Sequence, residues 1–157
     1  MSEDDTTTTS MVDLNWVDDD LFIGSDAEGH SIVFDSGIRK PSSSASPSKV
    51  ARPRGIGPMN ALLTSLGACS GMDVAAILLK RKQRLSSLKV EVSGRRPRYG
   101  HPKPFTEIHM RYLVGGQALE DHYVKEAVTD SVTKFCSVVA TIGGEAKISF
   151  SYEIVPA

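Results

Sequence analysis

The sequence predicts a single α+β domain with the element order β-β-β-α-β-β-α-β, and three observations predict it. Short stretches alternate apolar and polar residues, two long stretches carry apolar residues at three- and four-residue intervals, and clusters of Gly, Pro and Ser separate them. A chain of 157 residues can form one core but has little room for a second independent domain. Residues 11 to 157 are read as that domain and the polar, threonine-rich residues 1 to 10 as a disordered tail.

Residues 12–17 alternate, residues 21–23 follow the acidic turn Asp18, Asp19 and Asp20, and residues 31–34 follow a second turn, so the three together read as a meander. From residue 36 to 57 the period is lost. Ser42, Ser43, Ser44, Ser46 and Ser48 are interspersed with Pro41, Pro47 and Pro53, which describes a Ser/Pro-rich loop insertion.

The first helix is predicted over 58–82. Pro58 suits a first helical turn, Met59, Leu62, Leu63, Leu66, Val74, Ile77 and Leu78 supply the period, and basic residues complement its C-terminal end. Its middle, Gly67 to Gly71, is a strip of small residues that lets another backbone come close. Two interior glycines each cost about 1 kcal/mol relative to alanine, so close packing or access to a site has to offset them.

Residues 88–94 and 106–114 alternate cleanly and read as strands, with a basic, proline-containing loop over 95–105 between them. A second helix is expected over 119–141 and a last strand over 147–154. The pairs Gly115–Gly116 and Gly143–Gly144 read as turns or a helix cap. Two apolar helices then cover the packed faces of antiparallel sheets. The first helix carries so little polar surface that a homodimer is the economical way to bury it.

A formal net charge of -1 offers no general attraction to a polyanion, so neither nucleic acid nor an anionic membrane is an expected partner. The basic runs 80–84 and 95–98 read as a solvated helix end and loop. No window reaches the 18 or so apolar residues a membrane span needs, and the N-terminus is acidic where a signal peptide is basic, which points to a cytoplasmic protein.

Chemistry, on this reading, rests on Cys69 and Cys136, one in each predicted helix and both placed mid-helix. Without a secretory signal they do not describe a disulfide scaffold. Ser65 and Asp73 lie one helical turn on either side of Cys69. A reactive thiolate needs a nearby cation or a helix N-terminus, and Cys69 is too deep in its helix for the second, so Arg39, Arg52 and Arg54 in the preceding loop are the available suppliers. A reactive Cys69 and an inert, buried Cys69 are both open at this point. His30, His101, His109 and His122 show no close ligand spacing, and neither a metal nor another cofactor is expected.

The segment from Gly57 to Val74, with Lys134-Phe135-Cys136-Ser137-Val138 and the ending Ser151-Tyr152-Glu153, resembles the OsmC/Ohr family of osmotically induced and organic hydroperoxide resistance proteins, and within it a compact OsmC-like branch. The resemblance covers roughly residues 12 to 157. It implies an intertwined homodimer with central helices and sites at the interface. It also implies thiol peroxidase chemistry: Cys69 attacks a hydroperoxide, Cys136 resolves the sulfenic acid as a disulfide, and an external dithiol, of the lipoyl type, reduces it. Active members place a glutamate where this chain has Asn60, and draw an arginine from the N-terminal strand region, where residues 16–24 contain none. Arg52 and Arg54 are the candidate replacements, with Asn60, Ser65 and Asp73 as candidate site-lining residues. The alternative is a non-peroxidatic member that binds a small apolar or acyl ligand at the dimer interface.

Overall fold

The computed structural model describes residues 7–36 and 53–157. They divide into two compact units, Met1–Ala61 and Leu62–Ala157, and the predicted order of strands and helices holds through both.

In the first unit β1 (Val12–Asp18), β2 (Leu21–Asp26) and β3 (Ser31–Phe34) form the expected antiparallel meander. Trp16 stands opposite Phe22, and Phe22 opposite Phe34, so aromatic cross-strand pairs fix the register. Asp19 takes a positive φ of 42° in the first turn, and the Trp16 indole N–H donates to its carbonyl at 3.0 Å. Further on, Ile56 bridges to Phe34 in parallel, its N–H donating to the Val33 carbonyl at 2.9 Å. Gly55 permits this approach, because a Cβ there would lie 2.4 Å from the Val33 carbonyl oxygen. The end of the predicted 36–57 insertion is therefore docked on β3, while most of that segment, with Arg39 and Arg52, lies outside the described residues.

The second unit is built on the sheet β4 (Arg84–Arg95), β5 (Glu107–Gln117) and β6 (Lys147–Val155), in that order. β4 and β5 are antiparallel, but β5 and β6 are parallel, which corrects the expectation of antiparallel sheets. A parallel pair needs a long crossover, and residues 118–146 provide one. Gly115 and Gly116 are not a turn either: both lie inside β5, where a Cβ would meet Ser87 Oγ at 2.2 Å and the Arg84 carbonyl oxygen at 2.3 Å. These close approaches sit beside the shift in β4–β5 register between Leu85 and Ser87. Gly143 and Gly144 do follow a helix as a turn.

Helix α1 (Pro58–Lys80) ends close to where the period predicts. Leu66, Ser70, Val74 and Leu78, spaced at four residues, are fully buried. A Cβ at Gly67 would lie 2.9 Å from Val92, and one at Gly71 3.3 Å from Val90, so the small-residue strip is where β4 comes against the helix. By length and composition α1 is apolar enough to cross a membrane, with a mean hydropathy of 1.7 over 18 residues. That corrects the expectation that no window is apolar enough to span a membrane: mean hydropathy over this window is raised partly by Ala, Gly and Cys. Here the helix packs on a sheet through Gly67 and Gly71 and hydrogen-bonds to it through Ser70.

The second predicted helix is broken. It consists of α2 (Asp121–Asp130), a π-helical turn over Ser131–Phe135, and α3 (Ser137–Ile142). Between the last two, Cys136 leaves the helical region at φ -68°, ψ 105°. Its N–H donates to the Ser131 carbonyl five residues back, at 2.9 Å, and its own carbonyl accepts from the Ala140 N–H at 3.1 Å, opening α3. Cys136 is thus the N-cap of a short helix and not a mid-helix residue.

Candidate active site

The break at Cys136 and the strip on α1 bring the two cysteines together. The Cys69 and Cys136 sulfurs and one Asp73 carboxylate oxygen lie within 4.8 Å of one another. Asp73 follows Cys69 by four residues on α1, which puts both side chains on one face of the helix. Cys136 arrives at the end of the π-helical turn, where α3 begins. Both thiols are free; Cys69 is partly exposed, whereas Cys136 is only 3% exposed.

A line of buried hydroxyls backs this cluster. Tyr112 Oη lies 2.5 Å from Ser70 Oγ, Ser70 Oγ lies 2.6 Å from Ser131 Oγ, and the Ser131 hydroxyl reaches Asp73 Oδ2 at 3.2 Å. Tyr112 can donate to Ser70 and Ser70 to Ser131, while the single Ser131 proton is shared between the Asp73 carboxylate and the Ser70 backbone carbonyl, each 3.2 Å away. Tyr112, Ser70 and Ser131 have no exposed surface. The residues that make Ser131 turn inward are therefore also those that orient Asp73, and the π-helical turn that follows Ser131 delivers Cys136.

Burial sets the acidity of the inner groups. Removal from water pushes the Cys136 thiol up to about 11, and the neighbouring Cys69 adds to this. The N–H groups of Val139 and Val138 pull the other way, though neither forms a cap hydrogen bond with the sulfur. The Tyr112 phenol is pushed up to about 12, chiefly by burial, with the Ser70 hydrogen bond opposing. At neutral pH both are protonated.

The other predicted site residues fall elsewhere. Ser65 is exposed one turn before Cys69, and Asn60 is exposed in the first turn of α1. Arg54 donates to Asp18 through both terminal nitrogens and lies 4.0 Å from Asp35, and the Asp18 hydrogen bond raises its pKa. His109 lies on β5 with its ring nitrogens 2.9 Å from Ser149 and Ser151 hydroxyls, and His101 is exposed before Pro102. Tyr112, Ser70 and Ser131 were not anticipated as site residues. A signal for the first was present: Ile108, Met110, Tyr112 and Val114 form the buried face of β5, and a tyrosine on a buried face needs a partner for its hydroxyl.

A three-stranded mixed sheet carrying a central cysteine-bearing helix, with a second cysteine on a broken crossover helix, defines a class of small two-cysteine α+β proteins. The sequence model of the family described as OsmC-like protein matches residues 51–151, and the chain belongs to that family. It is 34% identical over 146 residues to Protein YhfA of Escherichia coli K12, covering 92% of this chain and 97% of that protein. Among solved structures, a hypothetical protein from Aquifex aeolicus VF5 superposes with a TM-score of 0.78 at 28% identity, covering 96% of this chain and 99% of that one. An organic hydroperoxide resistance protein OsmC from Legionella pneumophila shares the fold at a TM-score of 0.62 and 11% identity, covering 93% of this chain and 97% of that one.

Proposed function

We propose that the chain is a two-cysteine reductase of organic hydroperoxides, acting in the cytoplasm without a bound cofactor. The observation that carries this reading is the pair of free thiols held within 4.8 Å, one partly exposed and one buried. An incoming peroxide meets Cys69 first. The Cys69 thiolate attacks the O–O bond, giving a sulfenic acid and releasing the alcohol after one proton is taken up. The Cys136 thiol then condenses with the sulfenic acid, forming the disulfide and expelling water. An external dithiol of the lipoyl type reduces the disulfide by exchange. Of the two candidate activating arginines, Arg54 is engaged by Asp18 and Asp35, and Arg52 lies outside the described residues. The membership of the family, and the hydroperoxide resistance named for the Legionella relative, agree with it.

The test is stopped-flow consumption of cumene hydroperoxide by the reduced protein, with intact mass read at completion. One peroxide consumed per chain and one intramolecular disulfide formed are expected; a rate no faster than that of a free thiol would sink the proposal. A reading as a binder of acyl chains has less support, because Val90 and Val92 fill the glycine side of α1.

Members of this family are typically homodimers, and exposed apolar side chains extend that expectation to this chain. Val12, Leu14 and Trp16, alternate residues on one face of β1, are 66%, 58% and 65% exposed, an apolar strip of the kind that marks an interface. Light scattering coupled to size exclusion at micromolar concentration should give twice the chain mass, and a monomer mass would refute the dimer.

A further inference from the structure

We infer that Cys69, Asp73 and Cys136 form a binding site for one thiophilic divalent cation, Zn(II) in the first instance, with two thiolates and one carboxylate as ligands and a fourth position open. The spacing of the sequence announces only the pair on one helix; the third ligand comes from the break in another, which no local pattern shows.

The geometry comes first. In a tetrahedral zinc site with Zn–S near 2.3 Å and Zn–O near 2.0–2.2 Å, neighbouring ligand atoms stand roughly 3.5–3.8 Å apart. The three donor atoms here all lie within 4.8 Å of one another, so shifts of about 1 Å or less in side-chain position close them around an ion. Cys69 and Asp73 use the i, i+4 spacing by which a helix presents two ligands to one metal.

The surroundings are also those of a ligand set. The Asp73 carboxylate accepts from Ser131, which is held by Ser70, which is held by Tyr112, and all three hydroxyl groups are buried. Outer partners of this kind fix the orientation of a carboxylate ligand and commonly change metal affinity by about 10–100-fold. Among the described residues Asp73 has no Lys or Arg in an ion pair with it. A carboxylate turned towards two thiols with no such partner is a poor place for two more negative charges and a good place for a cation. On binding, the cation takes the electron pairs of both sulfurs, the two thiol protons go to solvent, and no oxidant or reductant takes part. The partial exposure of Cys69 gives the ion its way in.

This inference does not rest on the peroxidase reading, and its test contains no peroxide. The reduced, chelator-treated full-length protein is titrated with Co(II) under argon, then with Zn(II) as displacer. Expected are one cobalt per chain, the intense visible bands of a tetrahedral site, and a thiolate-to-cobalt charge-transfer band in the near ultraviolet. Cys69→Ser and Cys136→Ser should each weaken that band and lower affinity at least tenfold, and Ser131→Ala should lower affinity about 10-fold or more with both thiols intact. Asp73→Asn keeps the shape of the side chain and should also weaken binding at least tenfold, its metal-free circular dichroism serving as the folding control. Weak octahedral bands that survive loss of both cysteines would overturn the site. Wild-type affinity in a folded Asp73→Asn protein would overturn the three-ligand assignment.

Discussion

Cys69→Ser is expected to reduce hydroperoxide consumption to background, a loss of about 10³-fold or more, while Cys136→Ser retains the first turnover. The asymmetry follows from exposure and acidity together. Cys136 is 3% exposed and its thiol is pushed up to about 11, so at neutral pH it is a protonated group that an incoming peroxide does not reach. Cys69 is the partly exposed member of the pair. Loss of a nucleophile removes the pathway and not a fraction of it. In Cys136→Ser one equivalent of peroxide should be consumed and a sulfenic acid should persist on Cys69 long enough to be trapped by dimedone. The check is paired: peroxide loss by stopped flow and adduct mass for both variants. Retained consumption in Cys69→Ser with loss in Cys136→Ser would invert the roles assigned to the two thiols.

The ligand or peroxide that reaches this cluster is handled by a geometry only partly legible in the sequence. The period of Leu62, Leu66, Val74 and Leu78 located α1 to within two residues of its observed end, and the run of small residues correctly marked a close approach, realised by Val90 and Val92. Alternation located β1, β4, β5 and β6 and the turns located β2 and β3; on β5 the alternation matches the buried face, whereas β1 is exposed along its whole length. Alternation carries no information on direction, which is why the parallel pairing of β5 and β6 was missed. The apolar pattern from Leu119 to Val139 fits one helix, yet the π-helical turn is tied to the buried Ser131 and its contacts with Ser70 and Asp73, residues 61 and 58 positions away. No local pattern encodes such a contact. Asp73 was visible as a neighbour of Cys69 by its four-residue spacing, but its alignment with Cys136 depends on the same break.

That break leads to the second large effect, an alkaline limit on both reactivity and stability. The Cys136 thiol has an ordinary value of 9.0 and a folded value of about 11, raised first by burial. Between those values the unfolded chain gives up the proton and the folded chain keeps it, so the unfolded state binds fewer protons and stability falls as pH rises. The contribution is complete below pH 9 and gone above about pH 11. Two pH units correspond to on the order of 2–3 kcal/mol. The Tyr112 phenol, at about 12 against 10.0, adds a loss of the same sign one unit higher. Urea midpoints of the reduced, metal-free protein should therefore decline from pH 9 upward, and Cys136→Ala should flatten the first part of that decline while Tyr112→Phe flattens the second. In Cys69→Ser, alkylation of Cys136 by iodoacetamide should quicken about tenfold per pH unit from neutrality to near pH 11 and then level. A rate that levels near pH 9 would mean that the thiol meets water freely, and the assignment of Cys136 as the sheltered partner of the pair would fail with it.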